Sequence, residues 1–178
     1  MCIRDRFKLA VINLGSFTNE LMTLSPGTEA YVRGPHGNPV EPPKNSRIIA
    51  VAGGTGLAAV YQLARDFGNT DIYFGARSKD RLYFIEESAK VSNLHVSTDD
   101  GSYGAKGLVT DLLEEHLLQM SPKERESLVF YNCGPAPMVQ AAEELQSKYF
   151  QPDRIYNAID YLTKCGVGIC GACDSPDG

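Results

Sequence analysis

The stretch RIIAVAGGTGLAAVYQLARDFG, from Arg47 to Gly68, limits the fold more than any other part of the chain. Its first half is a compact apolar run ending in glycines. Its second half carries apolar residues at helical spacing and stops at a glycine. A strand, a tight turn and a helix follow from that pattern. The texture then repeats: TDIYFGARS reads as a second strand, Lys79 to Lys90 as a helix, and NLHVST as a third strand. AKGLVTDLLEEHLLQM reads as an amphipathic helix with Leu108, Leu112 and Leu113 on one face. SLVFYNCG is a fourth strand, and PAPMVQAAEELQSKYF a helix with proline at its start. Strands alternating with helices predict an α/β domain over 45–150, built on a mainly parallel sheet covered on both faces.

The flanks have a different character. Over 7–44, FKLAVINLG and EAYVRG are short runs of β-branched and aromatic residues broken by turn signals, which predicts β structure. Pro39, Pro42 and Pro43 form a stiff connection at a plausible domain boundary. The opening Met1 to Arg6, MCIRDR, has no apolar periodicity and resembles translated adapter sequence, so it is set aside from the fold. From Gln151 the pattern lapses into a connector and then a cysteine-rich run, giving a third segment over 151–178. The chain ends in the middle of that run and is read as a piece of a longer protein.

Composition excludes several classes. With 43% hydrophobic and 22% charged residues, the chain can bury a core, and its net charge of −5 argues against a nucleic-acid surface. No apolar stretch approaches the roughly 20 residues of a membrane helix. With no secretory signal pattern either, the expected compartment is the cytoplasm.

Two glycine turns are candidate ligand sites. Gly53-Gly54-Thr55-Gly56 lies where a strand gives way to a helix, the place where a phosphate can approach bare backbone and a helix N-terminus. Cys133-Gly134-Pro135 closes the fourth strand, and in an open parallel sheet both turns open on one edge. Cys133 either lines a nicotinamide pocket there or packs as a small buried thiol. Asp99 and Asp100, in TDDGS after the third strand, either accept ribose hydroxyls or merely build a turn. Arg77, after the second strand, has the chemistry to stack on adenine or attract a 2′-phosphate. His36, His95 and His116 are scattered and read as structural.

Three of the five cysteines crowd into nine residues. Cys165, Cys170 and Cys173 have the spacing C-x4-C-x2-C, the three-cysteine part of a plant-type [2Fe-2S] site. Gly166, Gly168 and Gly171 let the backbone wrap closely and aim N–H groups at sulfur. Zinc is the structural alternative, but it normally takes two ligand pairs, and no histidine is near.

Taken in order, GPHGN, GGTGLAA, GARS, TDDGSYGAKG, NCGPAPMV and YLTKCGVGICGAC make the chain resemble the electron-transfer subunits of class 1B dihydroorotate dehydrogenases, a branch of the ferredoxin reductase superfamily. The resemblance runs from about Phe7 to Gly178. It implies a ferredoxin-reductase-like NAD-binding domain, preceded by part of an antiparallel FAD-binding β-barrel and followed by a [2Fe-2S] loop. It implies electron passage between NAD(H), FAD and the cluster, to or from the FMN-containing catalytic subunit as partner in pyrimidine biosynthesis. Carried over residue by residue, Cys165, Cys170 and Cys173 become cluster ligands, and Gly54, Thr55 and Gly56 the pyrophosphate loop. Cys133, Gly134 and Pro135 fall near the nicotinamide, and Val11, Ile12, Asn13, Phe17 and Thr18 at the flavin. Phe17 departs from the family's Gly-Thr pair. An Arg-x-x-Ser motif is expected upstream and a fourth cysteine downstream in the longer protein. Rival readings are a gamma-type subunit of a sulfhydrogenase or of a ferredoxin:NADP oxidoreductase, and, from another class, a zinc-binding NAD-sensing module.

Overall fold

Isoleucine and valine at 48, 49 and 51 favour extended backbone, and Arg47–Gly53 forms the central strand β1. A computed structural model describes residues 8–32, 41–158, 165, 169 and 170. The chain divides into two units, one of Met1–Ala10 with Pro42–Ala158 and one of Val11–Glu41 with Ile159–Gly178.

In the first unit five more strands join β1: Thr70–Ala76 (β2), Asn93–Thr98 (β3), Ala105–Lys106 (β4), Leu128–Cys133 (β5) and Ile155–Ala158 (β6). All pairings are parallel, in the order β4-β3-β2-β1-β5-β6. After β1 the chain steps one way to β2, β3 and β4, then returns to lay β5 on the other side of β1. Strand order therefore reverses at the β1–β5 seam.

Side chains alternate across a strand, so β1 feeds two cores. Ile48, Ala50 and Ala52 pack with Leu57, Val60 and Ala64 of the helix Gly56–Phe67 (α2). Ile49 and Val51 pack with Val109, Leu113 and Leu117 of Val109–Gln119 (α4), and with Ala142 and Leu145 of Ala136–Ser147 (α6). Burial on both faces explains why β1 reads as an unbroken apolar run. Gly68, at φ +63°, ends α2 with its N–H on the Ala64 carbonyl.

Beside β5, a buried amide pair closes the α6 side. Asn132 Nδ2 donates to Gln146 Oε1 at 2.8 Å, and Gln146 Nε2 returns the bond to Asn132 Oδ1 at 2.9 Å. Near the starts of the strands, Asp71 accepts from Arg47 Nε at 2.6 Å and from Asn93 Nδ2 at 2.9 Å.

Four expectations need correction. Between Lys79 and Lys90 there is no single helix: a 3-10 turn at Lys79–Arg81 is followed by the short helix Ile85–Ala89 (α3), because Phe84 takes a left-handed φ of +55°. Leu108 precedes α4 and is exposed, while Leu113 is buried. The connector after Gln151 contains β6. Its Tyr156 ring stacks on Tyr131 of β5 at 4.9 Å, so neighbour pairing creates that strand.

The fourth concerns the second unit. Among its described residues there is no strand over 11–32, and Ser16–Thr23 is a helix (α1). The Thr18 hydroxyl accepts from the Leu14 and Gly15 amides at 2.9 and 3.1 Å, satisfying N–H groups at the helix entry. β-branched residues alone do not make a strand without a partner ladder. Between Ser121 and Leu128, Pro122–Arg125 (α5) carries a capping box of Ser121 and Glu124. No helix among the described residues is long and apolar enough to cross a membrane.

Candidate functional site

Parallel sheets open a crevice beyond the carboxyl ends of their strands where the order reverses, here between β1 and β5. Both strands end in glycine turns. Gly54 has φ +51°, which glycine adopts without steric cost, and the chain turns sharply out of β1. A Cβ on Gly56 would sit 2.1 Å from the Cys133 carbonyl oxygen. One on Gly134 would sit 2.8 Å from the Gly53 amide nitrogen. The two turns pack backbone on backbone, with no room for a side chain at either contact. Thr55, the residue before α2, makes no side-chain cap bond to the helix. The amino end of α2, with its partial positive charge, therefore faces the crevice without a bulky side chain at Gly54 or Gly56.

Of the sequence candidates, Gly54, Thr55, Gly56, Cys133, Gly134 and Pro135 come together at this seam. Cys133 is half-buried and Pro135 exposed at the head of α6. Arg77, Asp99 and Asp100 follow the neighbouring strands and are exposed. The Asp99 amide donates to Ala76 at 3.0 Å and the Asp100 amide to Arg77 at 3.3 Å, tying these two loops together. Asp100 is used by its own turn. Its carboxylate accepts from the Ser102 hydroxyl at 2.6 Å and amide at 2.9 Å, bonds that hold it below the usual carboxylate range. Asp99 precedes that turn and is exposed.

The first unit does not contain Val11, Ile12, Asn13, Phe17 and Thr18, which gather at the entry to α1 in the second. There Ile12 and Phe17 are exposed and Thr18 serves the helix. The second unit also includes the cysteine run. Cys165 is half-buried and Cys170 exposed, while Cys173 lies outside the described residues. Among the described residues no group of three or more His, Cys, Asp and Glu is placed to hold a metal.

Sequence reading passed over Tyr83. Its hydroxyl donates to the Gly54 carbonyl across 29 positions of sequence, a link with no local signature. Burial pushes its phenol up to about 12; Cys133 adds to the shift, and the Leu57 N–H opposes it.

His95 and His116, far apart in the sequence, meet at Tyr73. His116 Nδ1 pairs with the Tyr73 hydroxyl at 2.9 Å, and His95 stacks on the Tyr73 ring at 4.7 Å.

Residues 50–144 match the family described as the oxidoreductase NAD-binding domain. A protein of Methanocaldococcus jannaschii is 36% identical over 92% of this chain and 62% of its own length. One of Thermococcus kodakarensis is 31% identical over 93% of this chain and 68% of its own length. Both are named probable dihydroorotate dehydrogenase B (NAD(+)), electron transfer subunit. The chain thus spans roughly two-thirds of the length of these relatives, less in the first case. Among solved structures, an NADH-dependent reduced ferredoxin-NADP oxidoreductase superposes with a TM-score of 0.76 at 30% identity, covering 90% of this chain and 57% of that one. A strand–glycine–helix seam at a sheet's switch point, matched over residues 50–144 by a nucleotide-domain family and over most of the chain by these relatives, places the chain in the oxidoreductase NAD-binding domain family, among the electron transfer subunits of dihydroorotate dehydrogenase B.

Proposed function

We propose that the longer protein passes electrons between NAD(H), FAD and a [2Fe-2S] cluster, exchanging them in the cytoplasm with an FMN-containing dihydroorotate dehydrogenase catalytic subunit. The observation that carries this reading is the Gly56–Cys133 contact, which brings the two glycine turns backbone to backbone at the β1–β5 switch point, where a dinucleotide would lie. Gly54, Thr55 and Gly56 seat the pyrophosphate at the amino end of α2. Cys133, Gly134 and Pro135 border the nicotinamide, and Asp99 and Arg77 the adenosine ribose.

In the second unit, the exposed Ile12 and Phe17 offer apolar surface to a flavin ring, with Val11 and Asn13 beside them. The thiols of Cys165, Cys170 and Cys173 suit iron as a donor set, with a further ligand required. When bound, FAD accepts a hydride from NADH and the cluster carries electrons singly. The chain supplies position, electrostatics and exclusion of water.

The test is the longer protein reconstituted with flavin, iron and sulfide. It should reduce a dye with NADH, and should couple dihydroorotate oxidation to NAD+ when mixed with the catalytic subunit. A purified protein holding zinc, without iron or flavin absorption, would refute the electron-transfer reading in favour of the zinc-binding sensor. NADH-driven dye reduction without coupling would instead favour a subunit of a ferredoxin:NADP oxidoreductase, a reading supported by the structural likeness at 30% identity.

A further inference from the structure

An α-helix leaves its first N–H groups without partners inside the helix, and α2 does not use the Thr55 side chain to satisfy them. The acceptor at this helix end, the Gly54 carbonyl, is engaged by a residue from another element. The Tyr83 hydroxyl donates to the Gly54 carbonyl, which also accepts the Leu57 N–H at 3.2 Å. The ring is held edge-on between Phe74 at 5.9 Å and Phe84 at 5.7 Å, packed against the α2-side core. A half-buried, aromatic-braced hydroxyl thus grips one peptide of the glycine loop.

The consequence is geometric. In a planar trans peptide the carbonyl and the following N–H point in opposite directions. With the Gly54 carbonyl turned toward Tyr83, the Thr55 N–H is turned away from it. Gly54 sits at φ +51° with no atom within 4 Å of a built Cβ, so local packing around its side-chain position does not hold this peptide in place. The Thr55 hydroxyl makes no cap bond to α2.

We propose that Tyr83 is the positioning residue of the dinucleotide loop, its hydroxyl fixing the Gly54–Thr55 peptide so that the Thr55 N–H and hydroxyl meet the pyrophosphate. This rests on the dinucleotide reading above. Tyr83 touches no ligand in this role; it acts through Thr55.

The experiment is a double-mutant cycle in the full chain, with Y83F, T55V and the double variant, read as the dissociation constants of NADH and of ADP-ribose. Y83F retains the ring contacts with Phe74 and Phe84, and the thermal midpoint reports its folding. Loss of one hydrogen bond predicts about a three- to tenfold weaker NADH constant in Y83F. The effects of Y83F and T55V are expected to be non-additive, because one acts through the other. NADH binding within twofold of the wild type in Y83F, or strictly additive losses, would overturn the inference and leave the site intact. A wild-type chain that binds neither NADH nor ADP-ribose would overturn the dinucleotide reading itself. Should Y83F fold poorly, 4-fluorophenylalanine at position 83 fills the space of the hydroxyl without donating; NADH binding within twofold of the wild type there would equally overturn it.

Discussion

Gly56 and the Cys133 carbonyl are in backbone contact, close enough that a single Cβ would intrude to 2.1 Å. The helix that follows β1 is thereby locked to the turn that follows β5, two segments far apart in sequence. Since the obstructing atoms are main chain, G56A must push the turns apart. We expect a loss of about 2–3 kcal/mol in denaturant unfolding, at the upper end for overpacking, together with lost dinucleotide affinity.

Gly54 provides the contrast. A Cβ there meets nothing within 4 Å, and only its φ of +51° resists substitution. G54A should therefore cost about 1 kcal/mol, the left-handed penalty, and less than G56A in the same unfolding assay. Equal costs would mean that backbone conformation, rather than the seam contact, sets the glycine requirement.

Gln146 is fully buried, and its carboxamide is matched to that of Asn132 by two reciprocal bonds. Q146L would leave the Asn132 carbonyl oxygen without that partner, while Asn132 Nδ2 would keep its bond to Asn157 Oδ1. A loss of about 1–3 kcal/mol is expected. Replacing both Asn132 and Gln146 by leucine should cost less than the two single changes added together.

The pH dependence follows from His95, whose imidazole is held below its usual 6.5 by burial first and by His116 second. Arg47 also lowers it and Asp71 opposes the shift, while the Tyr73 ring stacks upon it. A depressed folded value means that the unfolded chain binds the proton more readily. The stabilising contribution is complete above about 6.5 and is lost as pH falls below it. Thermal midpoints measured from pH 7.5 to 5.5 should fall, and the fall should be shallower in H95F.

The central unit was legible because its signals are local. A run such as RIIAVAGG announces a buried strand, and the glycines after it announce the turn. Both glycine turns could be assigned to one edge from the carboxyl-end rule alone. Elements made by partners were not legible. β6 exists because Tyr156 and its neighbours pair with β5, and Ile155–Ala158 carries little strand signal of its own. FKLAVINLG carries β-branched residues, yet its described part, 8–15, forms no strand and leads into α1. Tyr83 was invisible for the same reason, since its meaning lies in a bond to Gly54.

The most direct test is titration of the full chain with NADH by calorimetry, alongside G56V, which fills the β1–β5 seam. The wild type should bind one NADH per chain, and G56V, if its circular dichroism shows a retained fold, should bind none. Equal NADH binding by the folded G56V chain, or none by the wild type, would contradict a dinucleotide site at the Gly56–Cys133 contact.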